Sequence, residues 1–296
     1  MTPGYRALHD SAAVIVLSAR GRIRVSGEDR ARLLHAMTTN HVLQLQPGQG
    51  LYAFFLAPNG RILLDANILC FTEHFLLDVE AERREFLMAH LDKFIIADDV
   101  QLEDVTDSTW CVAVEGPLAK PPVELMPFAH VELGGVTYAG LSSTGSAGYR
   151  LFGSGERPAL DFPVATAADA DVVRHEHYKP RYGVDITDKT IPQESQLMSA
   201  VHFQKGCYIG QEIVERVRAI GHVNKLLMGF KIGSALQIAV GEKVLVDGKE
   251  VGEVTSSASN CLDKTYGLAV VRVPAATNGE RVEILHRPAT LHNPVF

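Results

Sequence analysis

The sequence of 296 residues contains only four cysteines, and no two of them form a C-x-x-C motif. This scarcity argues against a disulfide framework and against a structural zinc site. No apolar run approaches the ~18 residues of a membrane-spanning helix. The start of the chain lacks the basic segment and apolar core of a signal peptide. We therefore predict a cytoplasmic protein that has no membrane segment.

An excess of positive charge is also missing. The 28 lysine and arginine residues are outnumbered by 35 aspartate and glutamate residues, which gives a formal net charge of −7. A protein that binds nucleic acid through its backbone phosphates would show the opposite balance. Hydrophobic residues form 46% of the chain and charged residues 21%, a composition that excludes intrinsic disorder. The length predicts two or three compact units.

Common phosphate and metal motifs are absent as well. There is no G-x-x-x-x-G-K-[ST] loop, and Gly153-Ser154-Gly155 lacks the third glycine of a dinucleotide-binding fingerprint. His175 and His177 flank Glu176, but residues two apart on a helix point to nearly opposite sides. We predict no metal centre.

The apolar pattern indicates antiparallel sheets with packed helices. Pro58-Asn59-Gly60 separates two apolar runs and predicts a hairpin, since Gly60 can adopt positive φ. Residues 82–96 carry apolar side chains at helical spacing. From residue 225 onward short β runs recur, and Asp247-Gly248 is a hairpin turn, which is typical of a small barrel or sandwich.

Two local signals near the start of the chain predict further elements. Residues 13–19 and 21–25 indicate two strands about a tight glycine turn. The following Ser26-Gly27-Glu28-Asp29 resembles a capping box and predicts the start of a helix.

The absence of regular β-α-β alternation favours an α+β fold. We expect antiparallel-sheet domains with packed helices over residues 1–224 and a small β-barrel over 225–296. The first part is expected to divide into two sub-domains. Residues 1–105 together with 170–224 would form one, and residues 106–169 the other.

The octapeptide KGCYIGQE, from Lys205 to Glu212, contains the cysteine of greatest interest. Cys207 lies between a lysine and two glycines, just before a helix-competent run. A cysteine near a cation and a helix N-terminus gains thiolate character. Gly206 and Gly210 allow a tight loop and close approach of the backbone to a ligand. The residues alone leave a reactive thiol and a structural turn as equal alternatives.

This octapeptide resembles the signature of the folate-binding YgfZ family, whose members are related to the glycine-cleavage T-protein. Other segments resemble the same family in the same order along the chain. They are residues 23–40, 58–65, 174–194 and 252–256.

The resemblance implies a ring-like body around a central hole that binds tetrahydrofolate. It also implies a role in the assembly or repair of iron–sulfur proteins, especially [4Fe–4S] enzymes. Cys207 would be the functional thiol, held by Lys205, Gly206 and Gly210, and these three residues are also expected to contribute to the cofactor site. The expected partners are folate, iron–sulfur client proteins and the assembly machinery, and the expected state is a monomer. Whether the protein is itself an enzyme of one-carbon transfer is left open.

The resemblance also points to two acidic residues. Glu176 matches the T-protein glutamate that hydrogen-bonds the pterin edge, and Asp65 falls where the T-protein has an aspartate beside the reactive folate nitrogens. From the residues alone, the alternative for Asp65 is a polar residue on the solvent face of a hairpin. The chain departs from the family at His41, which replaces an aspartate. It departs again at His177 and Tyr178, where small residues are usual and bulky ones could narrow the folate pocket.

Two other functions compete with the iron–sulfur hypothesis. Asp65 and Glu176 would also suit an aminomethyltransferase of the T-protein type, which passes a one-carbon unit to tetrahydrofolate. T-proteins resemble the octapeptide without its cysteine, so Cys207 argues against that alternative. The third is a non-catalytic scaffold, in which Cys207 would be replaceable.

Overall fold

The computed structural model describes residues 2–221 and 223–294. The helices are α1 (Pro3–Asp10), α2 (Arg30–Met37), α3 (Arg84–Asp92), α4 (Ala167–Glu176), α5 (Pro192–Ser195) and α6 (Gln211–Ile220). The first eleven strands are β1 (Ala13–Val16), β2 (Gly21–Ser26), β3 (Gly50–Leu56), β4 (Ile62–Cys70), β5 (His74–Val79), β6 (Gln101–Asp104), β7 (Trp110–Glu115), β8 (His130–Leu133), β9 (Val136–Ala139), β10 (Gly148–Gly153) and β11 (Val164–Ala165). The remaining strands are β12 (Lys225–Ile232), β13 (Lys243–Val246), β14 (Lys249–Ser259), β15 (Thr265–Arg272), β16 (Arg281–Ile284) and β17 (Arg287–His292).

The strands form two open sheets and one closed barrel. One sheet has the order β3-β4-β5-β2-β6, the other β11-β1-β7-β10-β9-β8, and the barrel β12-β15-β14-β13-β16-β17. Neighbouring strands are antiparallel apart from the short pair β1 and β11, which is parallel. The predicted α+β class with a C-terminal β-barrel is therefore confirmed.

The predicted hairpin at Pro58-Asn59-Gly60 is confirmed and has a structural role. It joins β3 to β4, and Gly60 has φ of 74°. A Cβ added at Gly60 would lie only 2.6 Å from Cβ of Ile213 in α6. The tip of the hairpin thus packs directly against the helix that follows the cysteine octapeptide, and only glycine allows this approach.

The predicted pairing of the first two strands is wrong. β1 pairs with β7 in the six-stranded sheet, whereas β2 pairs with β5 and β6 in the five-stranded sheet. Ala13, Val14 and Ile15 are all buried, so β1 is an inner strand with both faces covered. Ala13 and Ile15 pack against residues of α1 and α4, which an isolated hairpin could not supply. The chain crosses from one sheet to the other between residues 17 and 20.

The helix start at Ser26 is also corrected. Ser26 is the last residue of β2, and α2 begins at Arg30 with Asp29 at its N-cap. The Asp29 side chain does not cap this helix, because its carboxylate accepts the backbone N–H of Asp99 at 2.9 Å. The helix expected over residues 82–96 is shorter and spans Arg84–Asp92, after a turn of 3-10 helix.

The sub-domain division stays a prediction, although β1 from the first segment lies in the sheet that contains the strands of residues 106–169. Within residues 2–221 and 223–294, no helix is both long enough and apolar enough to cross a membrane.

Candidate functional site

A cavity of about 220 Å³, which we call the central cavity, lies between the two open sheets and α4. The helix contributes Ala167, Ala170, Asp171 and Arg174, which are spaced i, i+3, i+4 and i+7 and therefore share one face. A second cavity of about 350 Å³ shares Asn67, Ser142 and Lys179 with the first. These three shared residues lie between the two cavities, and we call them the neck.

Asp65 lies in the wall of the central cavity, at the middle of β4. Its neighbours Leu64 and Ala66 are buried in the core, so the alternation of the strand turns Asp65 and Asn67 toward the cavity. The Tyr52 hydroxyl donates to Oδ2 of Asp65 at 2.7 Å. Burial, together with the nearby Glu80 carboxylate, raises the pKa of Asp65 to about 6. A carboxyl group that titrates near neutrality is suited to hold or exchange a proton with a ligand.

An ion network beside Asp65 holds the two open sheets together. Asp78 of β5 is fully buried and accepts two hydrogen bonds from Arg20, at 2.9 and 3.1 Å, and another from Arg150 of β10. Burial alone would raise the pKa of Asp78, but the two guanidinium groups outweigh it and lower the pKa to about 2. Arg20 also pairs with Glu80. Nε of Arg150 is buried without a hydrogen-bond partner in the described part of the chain.

Sequence reasoning missed this network, although one signal was visible. The apolar run of β5, HFLLDV, contains a single aspartate at a position where an apolar residue would be ordinary. A charged residue inside a buried strand requires a partner of opposite charge. Its partners Arg20 and Arg150 are 58 and 72 residues away, and nothing in the sequence connects them.

Lys179 is the cationic residue of the neck. Burial lowers the pKa of its ammonium group to about 8, and the Glu115 carboxylate opposes this shift. Glu115 is itself fully buried and accepts hydrogen bonds from the backbone and side chain of Thr144. The neck therefore carries a positive group whose charge is sensitive to pH near neutrality.

Glu176 lies on the other side of α4. Residues two apart on an α-helix differ by about 200° in direction, so Glu176 points away from the cavity that Arg174 faces. Its carboxylate accepts the Tyr5 hydroxyl and the Asn260 side-chain amide, each at 2.7 Å, and pairs with Nε2 of His9 at 2.8 Å. Burial and the bond to Glu176 raise the pKa of Tyr5, which therefore remains a donor.

The two bulky residues after Glu176 do not narrow the cavity. Tyr178 stacks on the His292 ring of β17 with centroids 4.9 Å apart, and its aromatic ring covers Gly229 of the barrel. His177 packs against Gly145, and its Nδ1 is 3.0 Å from the carbonyl oxygen of Val173. Both side chains are used for packing between segments of the fold.

The cysteine octapeptide forms a separate site. Cys207 is exposed, and residues 208–212 line a cavity of about 500 Å³ together with His90 of α3 and Phe94, which follows that helix. Lys205 is buried and donates to the carbonyl oxygens of His35 and Thr38 at the end of α2. Burial lowers the pKa of its ammonium group to about 7. Lys205 therefore anchors the loop to α2 and adds no charge to the exposed surface.

The two glycines of the octapeptide shape its backbone. Gly206 and Gly210 have φ of 93° and 81°, a conformation that favours glycine. A Cβ at Gly210 would lie 2.5 Å from the carbonyl oxygen of Ala57, so the loop packs closely against the β3–β4 hairpin. Gly210 is also the N-cap residue of α6.

The structure thus separates the residues that the sequence grouped as one site. Asp65 lines the central cavity, Glu176 lies behind α4, and Cys207 lies on the surface beside another cavity. In the described ranges, no group of three or more His, Cys, Asp or Glu side chains is arranged to hold a metal ion.

Two open sheets around a central cavity, followed by a closed barrel, define the class of protein. Residues 3–148 match the GCVT N-terminal domain, and residues 225–296 match the glycine cleavage T-protein C-terminal barrel domain. The chain belongs to the GcvT-like superfamily.

Several known proteins are similar over nearly the whole chain. An aminomethyltransferase of Geobacillus kaustophilus is 29% identical over 311 residues, covering 95% of this chain and 84% of the relative. A protein of Arabidopsis thaliana, described only as a chloroplastic transferase, is 26% identical and covers 94% of this chain and 69% of its own length. The crystal structure of the glycine cleavage system aminomethyltransferase T from Bartonella henselae superimposes with a TM-score of 0.85 at 20% identity. It covers 98% of this chain and 87% of that chain, and shows the shared fold.

Proposed function

We propose that the protein binds tetrahydrofolate in the central cavity, with Asp65 facing the cofactor nitrogens that take part in one-carbon chemistry. The position of Asp65 carries this proposal, because its carboxyl group faces the cavity and is fixed by Tyr52. The resemblance of the sequence implies the same cofactor. The relative from Geobacillus kaustophilus is an aminomethyltransferase, which is consistent with folate chemistry.

The residues of the two cavities fit such a ligand. Asp65 and Glu80 are acceptors for the N–H groups of a pterin, and the unpartnered Nε of the buried Arg150 is a donor for a carbonyl oxygen. Beyond the neck, Phe128 and Leu141 contribute apolar surface to the second cavity. An elongated ligand with a polar head and an aromatic middle would therefore find matching surroundings on both sides of the neck.

Bound tetrahydrofolate supplies nitrogen nucleophiles that accept a one-carbon unit. With a pKa of about 6, Asp65 is mainly a carboxylate at neutral pH and can accept a proton from such a nitrogen. Tyr52 holds the carboxylate in place through its hydroxyl. We assign Lys205, Gly206 and Gly210 to shaping the octapeptide loop, because all of their contacts lie outside the central cavity.

Calorimetric titration of tetrahydrofolate tests this assignment. Replacing Asp65 by asparagine should weaken binding by roughly tenfold, or about 1.4 kcal/mol. The matched control is Glu176→Gln, which changes a nearby carboxylate that faces away from the cavity and should alter the affinity by less than about twofold. Wild-type affinity in Asp65→Asn, or loss of binding in Glu176→Gln alone, would place the ligand elsewhere.

We infer in addition a role in the assembly or repair of iron–sulfur proteins, with Cys207 as the functional thiol. The exposure of Cys207, away from the folate cavity, supports this role because a partner protein can reach it. The proposed partners are therefore iron–sulfur client proteins and their assembly machinery. One thiol per chain cannot supply the four ligands of a conventional cluster, so any cluster would be shared or transient.

Cells that carry Cys207→Ser test this second role. Their [4Fe–4S] enzymes should lose activity under oxidative stress, whereas Cys261→Ser, which changes another exposed cysteine, should have no such effect. Equal activity of the [4Fe–4S] enzymes in both strains would show that Cys207 is not the functional thiol. Size-exclusion chromatography of the purified protein tests the proposed monomer.

The alternative is aminomethyl transfer to tetrahydrofolate, as in the named relatives, and Asp65 in the cavity is the observation that favours it. Release of ammonia and methylene-tetrahydrofolate in a reconstituted glycine-cleavage assay would support this alternative. The activity should then survive Cys207→Ser and be lost in Asp65→Asn. A scaffold that only docks partners would show no effect of either substitution.

A further inference from the structure

The outer surface of the barrel carries a cavity lined by basic residues. It has a volume of about 520 Å³ and lies over β12, β16 and β17. Its polar lining consists of Lys231, Arg281, Thr290 and His292, with no aspartate or glutamate among the lining residues. We call these four residues the barrel cation site.

The register of the strands brings these residues together. Thr290 of β17 pairs with Lys231 of β12 on one side and with Arg281 of β16 on the other. Side chains at paired positions of neighbouring strands point to the same face of a sheet. The adjacent Ala289 and Leu291 are buried in the barrel core, so the side chains of Thr290 and of the two residues paired with it point outward. The two cationic residues therefore flank a central hydroxyl group, one strand away on each side.

The pairing of the two cations sets them apart from another lysine of the barrel. Among the described residues, Lys231 and Arg281 form no salt bridge, whereas Lys243 on the same barrel pairs with Glu250 at 3.0 Å. The Lys231 ammonium instead lies 5.5 Å from the centroid of the Tyr266 ring. In a chain with a formal net charge of −7, two unpaired cations around one concavity create a local positive potential.

His292 provides a further donor at the edge of the site. Its Nε2 is shielded from solvent and has no hydrogen-bond partner within the described ranges. One face of the imidazole ring is covered by Tyr178, which stacks on it at an interplanar angle of 10°. Tyr178 has φ of 52°, in the left-handed region, and this stacking contact helps to hold it there. A ligand oxygen that reached Nε2 after a small shift of the ring would satisfy this nitrogen.

We propose that the barrel cation site binds a compact group with several negatively charged oxygens, the chemistry shared by phosphate groups and clustered carboxylates. Lys231 and Arg281 hold the group from opposite sides, and the Thr290 hydroxyl donates from the middle. Charge-assisted hydrogen bonds of this kind are stronger than neutral ones. The site does not depend on the folate cavity, because the two share no lining residue.

Titration of the full chain at low ionic strength tests this site. Inorganic phosphate and the tricarboxylate tricarballylate are added separately, and binding is measured by calorimetry. At least one should bind with a millimolar or lower dissociation constant. Lys231→Gln and Arg281→Gln should each weaken that binding roughly tenfold, and added sodium chloride should weaken it further. Arg287→Gln, which changes an exposed cation on the same barrel outside the cavity, should bind like the wild type.

The two probes also identify the kind of ligand. Binding of phosphate alone supports a phosphate-bearing ligand, and binding of tricarballylate alone supports a polycarboxylate. The NMR signals of the His292 ring should shift on addition of the bound anion in the wild type and not in the Lys231→Gln/Arg281→Gln double variant. Absence of binding for both probes, or unchanged binding in the double variant, would overturn the proposal. All three substituted residues lie on the barrel surface, and thermal unfolding verifies that the variants are folded.

Discussion

Replacing Asp65 by asparagine should stabilise the protein at pH 8 and have little effect near pH 4. The folded protein raises the pKa of this carboxyl group from an ordinary 3.8 to about 6, chiefly because the group is buried. A raised carboxyl pKa means that the folded state binds the proton more tightly than the unfolded state. Stability is therefore lost as the pH rises from about 3.8 to 6, when the buried group must ionise.

The size of the effect follows from the shift in pKa. A shift of roughly two units corresponds to about 3 kcal/mol at a pH well above 6, which is an upper bound. The cavity admits water, so a smaller gain of about 1–2 kcal/mol is expected for Asp65→Asn. The asparagine side-chain oxygen can still accept the Tyr52 hydroxyl, so this hydrogen bond is retained.

Urea denaturation of both proteins at the two pH values measures the effect. The variant should show a higher midpoint than the wild type at pH 8 and a similar midpoint at pH 4, with the slope of the transition unchanged. If Asp65→Asn is more stable but binds folate poorly, Asp65 is a residue that serves function at the expense of stability. Destabilisation of equal size at both pH values would refute the reasoning, because Asp65 would then be a structural partner of Tyr52.

Three further predictions test the structure elsewhere. Asp78→Asn should destabilise the fold by about 3–5 kcal/mol at neutral pH because it removes the carboxylate that the buried Arg150 and the partly buried Arg20 share. Because Arg150 and Arg20 lower the pKa of Asp78 to about 2, this difference from the wild type should shrink as the pH falls from about 4 toward 2 in urea titrations. Gly210→Ala should lower the melting temperature more than Gly206→Ala. Both positions have positive φ, but only Gly210 approaches a neighbouring backbone oxygen. Equal losses of melting temperature would contradict this reasoning. Lys205→Met should cost about 1–3 kcal/mol in denaturant unfolding by leaving the carbonyl groups at the end of α2 without their donor, and an unchanged midpoint would show that the donor is dispensable.

Elements that depend on local chemistry could be predicted from the sequence. The hairpin at Pro58-Asn59-Gly60, the helix that follows the octapeptide and the strands of the barrel all appear where turn residues and apolar spacing indicate them. The placement of Asp65 opposite the core also follows from strand alternation, although the sequence could not show whether that face met solvent or a cavity. The resemblance to relatives of the T-protein led to the correct superfamily.

Elements that depend on long-range pairing could not be predicted in this way. The local pattern suggested a hairpin for β1 and β2, but β1 is hydrogen-bonded to β7 and β11, about 100 or more residues away. Asp78 meets Arg20 and Arg150 for the same reason. Such partners are selected by shape and charge once the sheets pack together, and no spacing rule relates them.

The sequence by itself determined that this is an α+β chain with a C-terminal barrel and a cysteine set among glycines. Only the tertiary structure decided which predicted residues share a site. Glu176 and Arg174 are two positions apart, yet the turn of α4 sends one toward Tyr5 and the other toward the cavity. The phase of a helix relative to its neighbours is set by packing against them, so a side chain's direction is known only when those neighbours are in place.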